Sequence, residues 1–441
     1  MKYNRVCSLE HPTMGCYSPR NVSADSFAKA LLIAVVHDPA SALYSINRLT
    51  PELLCFFLPE SKRNLVEAEL QPHIAKLPRR WDSILTEDPH SFGKSHHALA
   101  KTLPGLLGTW EVHPGELVVD LTGATAGMAA AMALVSRPFT SQIVLLMEGE
   151  GLATTEGESV TVSGRPRTWA QGNPWDEEAS QARREAAAVF NQGAYRAAAG
   201  LFRKIESLIS GGQKPLYHAL GDLAEGYDLW EKFQYRAGWD KLKIALKALE
   251  LVSVWGGPPG LSSMLSTVKA NVGFLESVVL DPQDAKQTMG HDLLAHAKRR
   301  AEKDRNTDLA IPVLLRALEA FAQYQLWKQF RIKTWNVQVD QLPQALRESC
   351  RTCFLDDVDG KYKLPLHVQF RALAGLGDPM GQTFLAEWAK MKPLLDAAQQ
   401  GVLGHGFEPI KAERFRQLYD IVMKLTKVNE ASLPKFPSMN F

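Results

Sequence analysis

The stretch ELVVDLTGATAGMAAAMALV at Glu116–Val135 determines the fold class of the first part of this chain. Its start, Glu116–Leu121, is a short apolar run rich in β-branched residues, which is typical of a buried strand. The Ala- and Met-rich segment Gly123–Val135 is typical of a helix. Strands that alternate with helices predict a mostly parallel, doubly wound α/β sheet. Three further apolar runs continue this alternation: Leu31–Val36, Leu53–Leu58 and Gln142–Met147.

The chain changes character after this region. Residues 151–175 are rich in Gly, Thr, Ser and Pro, which indicates a connector with a small hairpin around Ser159–Gly164. From residue 176 nearly to the end, apolar residues recur at helical spacing. The expected organisation is an N-terminal extension (1–25), an α/β Rossmann-like domain (26–150), the connector (151–175), a helical linker region (176–280), a C-terminal all-α domain (281–429) and a tail (430–441).

Composition restricts the classes of protein that this chain can belong to. Hydrophobic residues make up 45% and charged residues 22%, which excludes a disordered or coiled-coil chain. The apolar runs are too short to span a bilayer, and the N-terminus lacks the apolar segment of a secretory signal. Five cysteines, an odd number, favour a reducing cytoplasm over a disulfide framework. The single C-x-x-C at Cys350 and Cys353 has no second pair, so no metal site is expected.

The turn after the strand Glu116–Leu121 is the candidate ligand site of the first domain. Free N–H groups at the start of a helix attract anions, and open α/β sheets bind ligands at the carboxyl ends of their strands. The turn after the first strand flanks the same crevice. Spacing alone also fits a plain strand–turn–helix with a threonine cap. His96 and His97 are expected in a solvated loop. The candidate residues are Asp120, Thr122, Gly123, Ala124, Thr125, Met128, His37, Asp38 and Ser41.

Asp120–Met128 resembles the D-x-T-G-G-T-K-x-M signature of CRISPR-associated Rossmann-fold (CARF) sensor domains. Ala124 stands in the place of the second glycine, and Ala126 in the place of the lysine that could meet a phosphate. The resemblance implies a homodimer that binds a cyclic oligoadenylate, cyclic tetra- or hexa-adenylate, as its activator. It implies no other cofactor.

A second motif lies near the C-terminus, where Leu403–Pro409 reads LGHGFEP after a long helical stretch. A lone histidine at a helix end is commonly a capping or packing residue. The segment resembles the end of HEPN ribonucleases fused to CARF domains, whose usual form is R-N-x-S-x-L-x-H-G-F. With His405 on the family histidine, Ala398 occupies the arginine position and Gln399 the asparagine position. The stretches Asn173–Tyr195, Gly226–Trp230 and His296–Glu319 also resemble this family.

The chain therefore resembles the CARF–HEPN family of type III CRISPR ancillary ribonucleases. The resemblance implies a cytoplasmic, cyclic-oligoadenylate-activated and metal-independent endoribonuclease that cuts single-stranded RNA at a site shared by two protomers. An arginine orients the scissile phosphate in that chemistry, so Ala398 predicts impaired cleavage, by about 10²- to 10³-fold for one electrostatic group.

Three explanations of Ala398 stay open: an engineered inactive form, a natural variant with a retired effector, or an arginine supplied from elsewhere in the chain. The arginines considered for that role are Arg299, Arg300, Arg316, Arg414 and Arg416. The alternative function is a binding protein that senses, sequesters or cleaves the cyclic ligand and does not cut RNA.

Overall fold

The computed structural model describes residues 28–148, 157–281 and 286–441. The chain divides into two compact units, residues 1–174 and 175–441. The N-terminal extension (1–25) predicted from the sequence lies outside the described residues. Among the helices of the described ranges, none combines the length and apolar character needed to cross a membrane.

The first unit is built on one sheet, which has seven strands in the described part of the chain. The strands run in the spatial order β3-β2-β1-β4-β5-β7-β6. Strands β1 to β5 pair in parallel, whereas β7 is antiparallel to β5 and β6 is antiparallel to β7. The parallel order 3-2-1-4-5 is that of a doubly wound Rossmann-type sheet, which confirms the predicted α/β class. The strands are β1 (Ala30–Val35), β2 (Leu53–Pro59), β3 (Arg80–Thr86), β4 (Leu117–Gly123), β5 (Thr140–Glu148), β6 (Gly157–Val162) and β7 (Arg165–Gly172).

Helices cover both faces of this sheet. Helix α1 (Pro39–Leu49) shares a hydrophobic core with Leu31 and Ile33 of β1. Helices α2 (Phe92–Thr109) and α3 (Ala126–Ser136) pack on the opposite face, against the β1 residues that alternate with those two. Every residue of β1 is buried. This two-sided burial explains why its sequence is a continuous apolar run.

Part of the predicted connector belongs to the sheet. Residues 157–172 form β6 and β7, joined by Ser163 and Gly164, whose φ angles are 49° and 75°. A two-residue turn with both φ angles positive matches the twist of a β-hairpin. The hairpin predicted here is therefore present, but it extends the sheet beyond β5 and is not a linker.

Two local predictions in the first unit are wrong. Strand β4 continues to Gly123, and helix α3 begins only at Ala126, because β4 stays paired with β1 as far as Gly123. His96 and His97 lie within helix α2, where Ser91 forms the N-cap, and not in a loop.

The second unit is helical and contains two hydrophobic cores. The first core lies among α4 to α8, and the second among α9 to α14. The helices are α4 (Pro174–Asn191), α5 (Tyr195–Leu208), α6 (Lys214–Glu231), α7 (Tyr235–Val254), α8 (Leu261–Leu280), α9 (Gln287–Glu302), α10 (Thr307–Phe330), α11 (Gln344–Cys353), α12 (Leu366–Gly375), α13 (Pro379–Gln399) and α14 (Ala412–Thr426).

The C-terminal residues pack against the helices, so the prediction of a tail at 430–441 is wrong. Phe436 lies in an aromatic cluster with its ring centre 4.6 Å from that of Tyr227 and 4.8 Å from that of Trp230. The Asn191 side chain donates to the Met439 carbonyl at 2.9 Å and accepts from the Met439 N–H at 2.8 Å. These contacts tie the end of the chain to the core of α4 to α8.

Candidate functional site

The two turns predicted to flank one crevice do meet at the carboxyl end of the sheet. Strands β1 and β4 are paired neighbours, and helices α1 and α3 begin after them. The strand order reverses between β1 and β4, and this is where open α/β sheets bind ligands. The structure therefore brings His37, Asp38 and Ser41 to the same edge as the turn Asp120–Thr125.

The Asp120 side chain stabilises the end of β4 and the turn that follows it. Its side chain is fully buried, and Oδ1 accepts the Thr122 N–H at 2.8 Å. Burial raises the pKa of Asp120, while the hydrogen bond from the Thr122 N–H opposes that rise. The Thr122 hydroxyl in turn accepts the Leu146 N–H of β5 at 2.9 Å. Both side chains therefore hold the turn against the sheet.

The remaining residues of this turn also stabilise its structure. A Cβ at Gly123 would collide with the Ala34 carbonyl of β1, so the close approach that requires glycine is to a neighbouring strand. Thr125 is the N-cap of α3: its hydroxyl accepts the Met128 N–H at 3.3 Å and donates to the Pro89 carbonyl. Met128 is fully buried in the core under α3. Residues 122–125 are half-buried, so this segment stays partly accessible at the carboxyl end of the sheet.

A buried arginine that sequence reasoning missed lies at the same edge. Arg167 of β7 pairs in register with Glu148 at the carboxyl end of β5. Its guanidinium lies 3.2 Å from Asp38 Oδ2 and 3.0 Å from Glu148 Oε1, and the residue is 9% exposed. Lys62, after β2, donates to the Val36 carbonyl nearby. The alternating SVTVSGRPRTW pattern signals a hairpin, but only the strand pairing brings Arg167 to Asp38.

Asp38 connects this arginine to helix α1. It caps the helix by accepting the Ser41 N–H at 3.1 Å, and the Ser41 hydroxyl also donates to it. Although burial raises the pKa of Asp38, the Ser41 hydrogen bonds and the charge of Arg167 bring it below its usual value. His37, the residue before it, is exposed. Arg167 therefore places a guanidinium at the carboxyl end of the sheet, where it is paired with Asp38 and Glu148.

The C-terminal candidate site is a loop that folds back on the end of α13. The His405 N–H donates to the Gln399 carbonyl at 2.6 Å, and the His405 side chain is exposed. Cβ atoms at Gly404 and Gly406 would collide with the backbone of Gln399 and Gln400, so both positions require glycine. The HGF motif thus fixes His405 above the helix turn that carries Ala398.

Asp308 at the start of helix α10 contacts the end of this loop. Asp308 Oδ2 accepts the Ile410 N–H at 3.0 Å, and a Cβ at Gly401 would meet Asp308 Oδ1 at 3.0 Å. Gly401 also forms a bridge with Glu408 across the loop. Ala398 is half-buried and packs against the core of α9 to α14. The loop is therefore anchored at both ends.

The arginines considered as substitutes for the missing arginine have other partners. The Arg299 guanidinium of α9 lies 2.6 Å from Glu231 Oε1, and the Arg300 guanidinium lies 2.9 Å from Glu231 Oε2. The other three arginines, Arg316 of α10 and the exposed Arg414 and Arg416 of α14, form no hydrogen bond or ion pair with residues 398–410 in the part of the chain that the structure describes. Within those same ranges, no cluster of three or more His, Cys, Asp or Glu side chains could hold a metal ion.

Comparisons with known proteins agree with this architecture. Two family models match the chain: "Csm6 6H domain" over residues 179–275 and "Csm6 HEPN domain" over residues 282–429. Together they cover more than half of the chain. A comparison with the curated proteins gives no match.

Two solved structures are similar to this chain. Csm6 of Enterococcus italicus, bound to cyclic hexa-2'-fluoro-hexa-dAMP, matches with a TM-score of 0.53 and 10% identity, over 92% of this chain and 96% of that one. Can2 of Sulfobacillus thermosulfidooxidans, in complex with cyclic tetra-adenylate, matches with a TM-score of 0.23 and 10% identity, over 46% of this chain and 67% of that one. The domain matches and the shared fold with the first structure show that the chain belongs to the Csm6-type CARF–HEPN family.

Proposed function

We propose that this chain is a cytoplasmic, cyclic-oligoadenylate-responsive endoribonuclease of type III CRISPR defence whose cleavage site is weakened by Ala398. The observation that carries the proposal is the loop that holds an exposed His405 against the Gln399 carbonyl, one residue from Ala398. The activator is a cyclic tetra- or hexa-adenylate, the substrate is single-stranded RNA, and the working form is a homodimer. The related Csm6 structure, which has a cyclic hexa-adenylate analogue bound, supports the choice of ligand class.

The sensor crevice has chemistry that suits an oligonucleotide. Free N–H groups at the start of α3 attract phosphate oxygens. Arg167 contributes a permanent cation at the same edge, although its charge is shared with Asp38 and Glu148. A ligand phosphate can replace one of these carboxylates as the partner of Arg167. A charge-assisted hydrogen bond of this kind is worth roughly 1.5–3 kcal/mol.

The C-terminal site supports RNA cleavage by internal transesterification. The 2′-oxygen attacks the adjacent phosphorus, the P–O5′ bond breaks, and the products are a 2′,3′-cyclic phosphate and a free 5′-hydroxyl. His405 is exposed and can transfer a proton to or from the reacting oxygens. An arginine at position 398 would neutralise the phosphate as charge develops on it. With alanine there, we expect a rate lower by about 10²- to 10³-fold.

Control by the cyclic ligand requires that it bind one state of the dimer more tightly than another. A ligand shifts an equilibrium only by its differential affinity for the two states. The ligand would therefore favour the arrangement in which two C-terminal loops face one RNA.

The test is RNA cleavage by this chain and by Ala398→Arg, with and without a panel of cyclic oligoadenylates. We expect Ala398→Arg to cut about 10²- to 10³-fold faster, and only with one ring size. Gln400→Arg, which adds the same charge at an exposed position two residues away, should not gain activity. Ala398→Arg/His405→Ala should lose the gain. Absence of cleavage by Ala398→Arg with every ligand would contradict the proposal.

Ala398 also favours a second candidate function, a sensor or sequestering protein that binds the cyclic ligand and does not cut RNA. Such a protein would bind tightly and remain inactive with arginine restored. Cleavage of the ligand by Thr122 or Thr125 has less support, because both hydroxyls accept backbone N–H groups that hold the turn.

A further inference from the structure

A cavity of about 430 Å³ opens beside the C-terminal loop, within the helical unit. Ala398, Gln399, Leu403 and Gly404 form the side of the cavity nearest to His405. The cavity therefore adjoins the site at which RNA cleavage is proposed. Its volume falls in the range of about 300–1,000 Å³ that is typical of small-molecule sites.

The cavity has an apolar floor and an aromatic wall. Ile311, Phe384 and Leu395 line the floor. The wall is formed by His367 of α12 and Trp388 of α13, whose ring centres are 4.6 Å apart with planes inclined at 46°. Both rings are only half-buried, so each presents an edge or face to the cavity. Aromatic and histidine side chains of this kind stack on the unpaired bases of single-stranded RNA.

Polar groups surround the mouth. Lys392 Nζ lies 2.6 Å from Asp396 Oδ2, and both residues are exposed, as is Gln399. An apolar side chain inserted here would remove these groups from water without offering hydrogen bonds, which is costly. A nucleobase instead carries donors and acceptors along its edge. The combination therefore favours a base over an apolar protein side chain.

We propose that this cavity binds one unstacked base of the RNA, with Trp388 as the stacking residue and Asp396 and Gln399 reading the base edge. The inference rests on the proposed RNA substrate and adds a base-selective subsite to the cleavage site. It needs no cleavage to be tested, because an inactive chain can still bind RNA.

The test measures binding of short fluorescent oligomers of A, C and U to the full chain by anisotropy. We expect the chain to prefer one base, and Trp388→Ala to abolish that preference and weaken binding about 5- to 150-fold, the effect of one lost base–aromatic contact. Trp388→Phe should keep most of the affinity. Trp255→Ala, at a side chain that is 80% exposed on a distant helix end, is the matched control.

A second variant protects the test against misfolding. Leu395→Trp narrows the cavity while keeping an apolar side chain at that position, and it should reduce binding as Trp388→Ala does. The proposal would be overturned if the chain bound all three oligomers equally well and neither variant changed that affinity. It would also be overturned if the chain did not bind RNA. If both variants instead dissociate a dimer, the cavity receives a second copy, for example its Phe407, which is 96% exposed. Cleavage by Ala398→Arg remains a separate test of the proposed function.

Discussion

His296 should make the helical unit sensitive to acid. It is 3% exposed on α9, and its Nε2 accepts the Arg300 Nε–H at 3.0 Å. This bond requires Nε2 without a proton, so the ring is neutral and carries its hydrogen on Nδ1, which lies 3.4 Å from Glu231. Burial, with the charges of Arg299 and Arg300, lowers the pKa of His296 from 6.5 to about 3.

The lowered pKa fixes the sign and the size of the effect. The unfolded chain binds a proton at this histidine below pH 6.5, whereas the native chain does not until about pH 3. The folded chain therefore loses stability as the pH falls below the pKa of this histidine in the unfolded chain. At pH 5, which is about 1.5 units below the pKa of the histidine in the unfolded chain, the expected loss is about 2 kcal/mol. At pH 7.5 the loss is close to zero.

Urea unfolding, followed by tryptophan fluorescence at pH 7.5 and pH 5, measures this loss. His296→Gln keeps an acceptor for Arg300 but cannot titrate, so its free energy of unfolding should fall about 2 kcal/mol less than that of the wild type between the two pH values. His405→Gln, at an exposed histidine of the same unit, should retain the wild-type pH dependence. If His296→Gln and the wild type lose the same free energy of unfolding between the two pH values, His296 is not the group that titrates.

Three other outcomes test the loop, the C-terminal segment and the sensor edge. Gly406→Ala should displace the loop and reduce RNA cleavage by the arginine-restored chain about 10²-fold, measured as a rate with activator present. Phe436→Ala should lower the free energy of unfolding by about 3 kcal/mol, the low end for truncation of a packed phenylalanine, while the exposed Phe407→Ala should change it little in the same urea experiment. Arg167→Ala should weaken binding of the cyclic oligoadenylate about 10- to 100-fold by calorimetry, and Arg165→Ala, exposed on the same strand, should not.

The buried strands of the sheet could be predicted from the sequence because they are apolar on both faces. Strand β3 could not, since it lies at an edge and residues Arg80–Asp82 are exposed, so it has no continuous apolar run. The hairpin β6–β7 was recognisable from its alternation and its Ser163-Gly164 turn. Its place beside β5 was not, because strand pairing is a tertiary contact that leaves no local signal.

The same distinction applies to the candidate sites. The residue types and spacing around His405 led to the loop, and the glycines that the motif contains explain its shape. Arg167 and His367 lie far in sequence from the motifs that they adjoin. Tertiary structure alone brings Arg167 to Asp38 and His367 to the cavity beside Ala398. Met128 was a candidate ligand residue because it belongs to the motif, but its side chain is buried in the core.

A calorimetric titration of the unaltered chain with cyclic tetra-adenylate, cyclic hexa-adenylate and their linear forms tests ligand sensing most directly. We expect tight binding of one cyclic ligand, with one ligand for every two chains, and weak binding of the linear form. Absence of binding to both cyclic ligands would show that this chain does not sense a cyclic oligoadenylate.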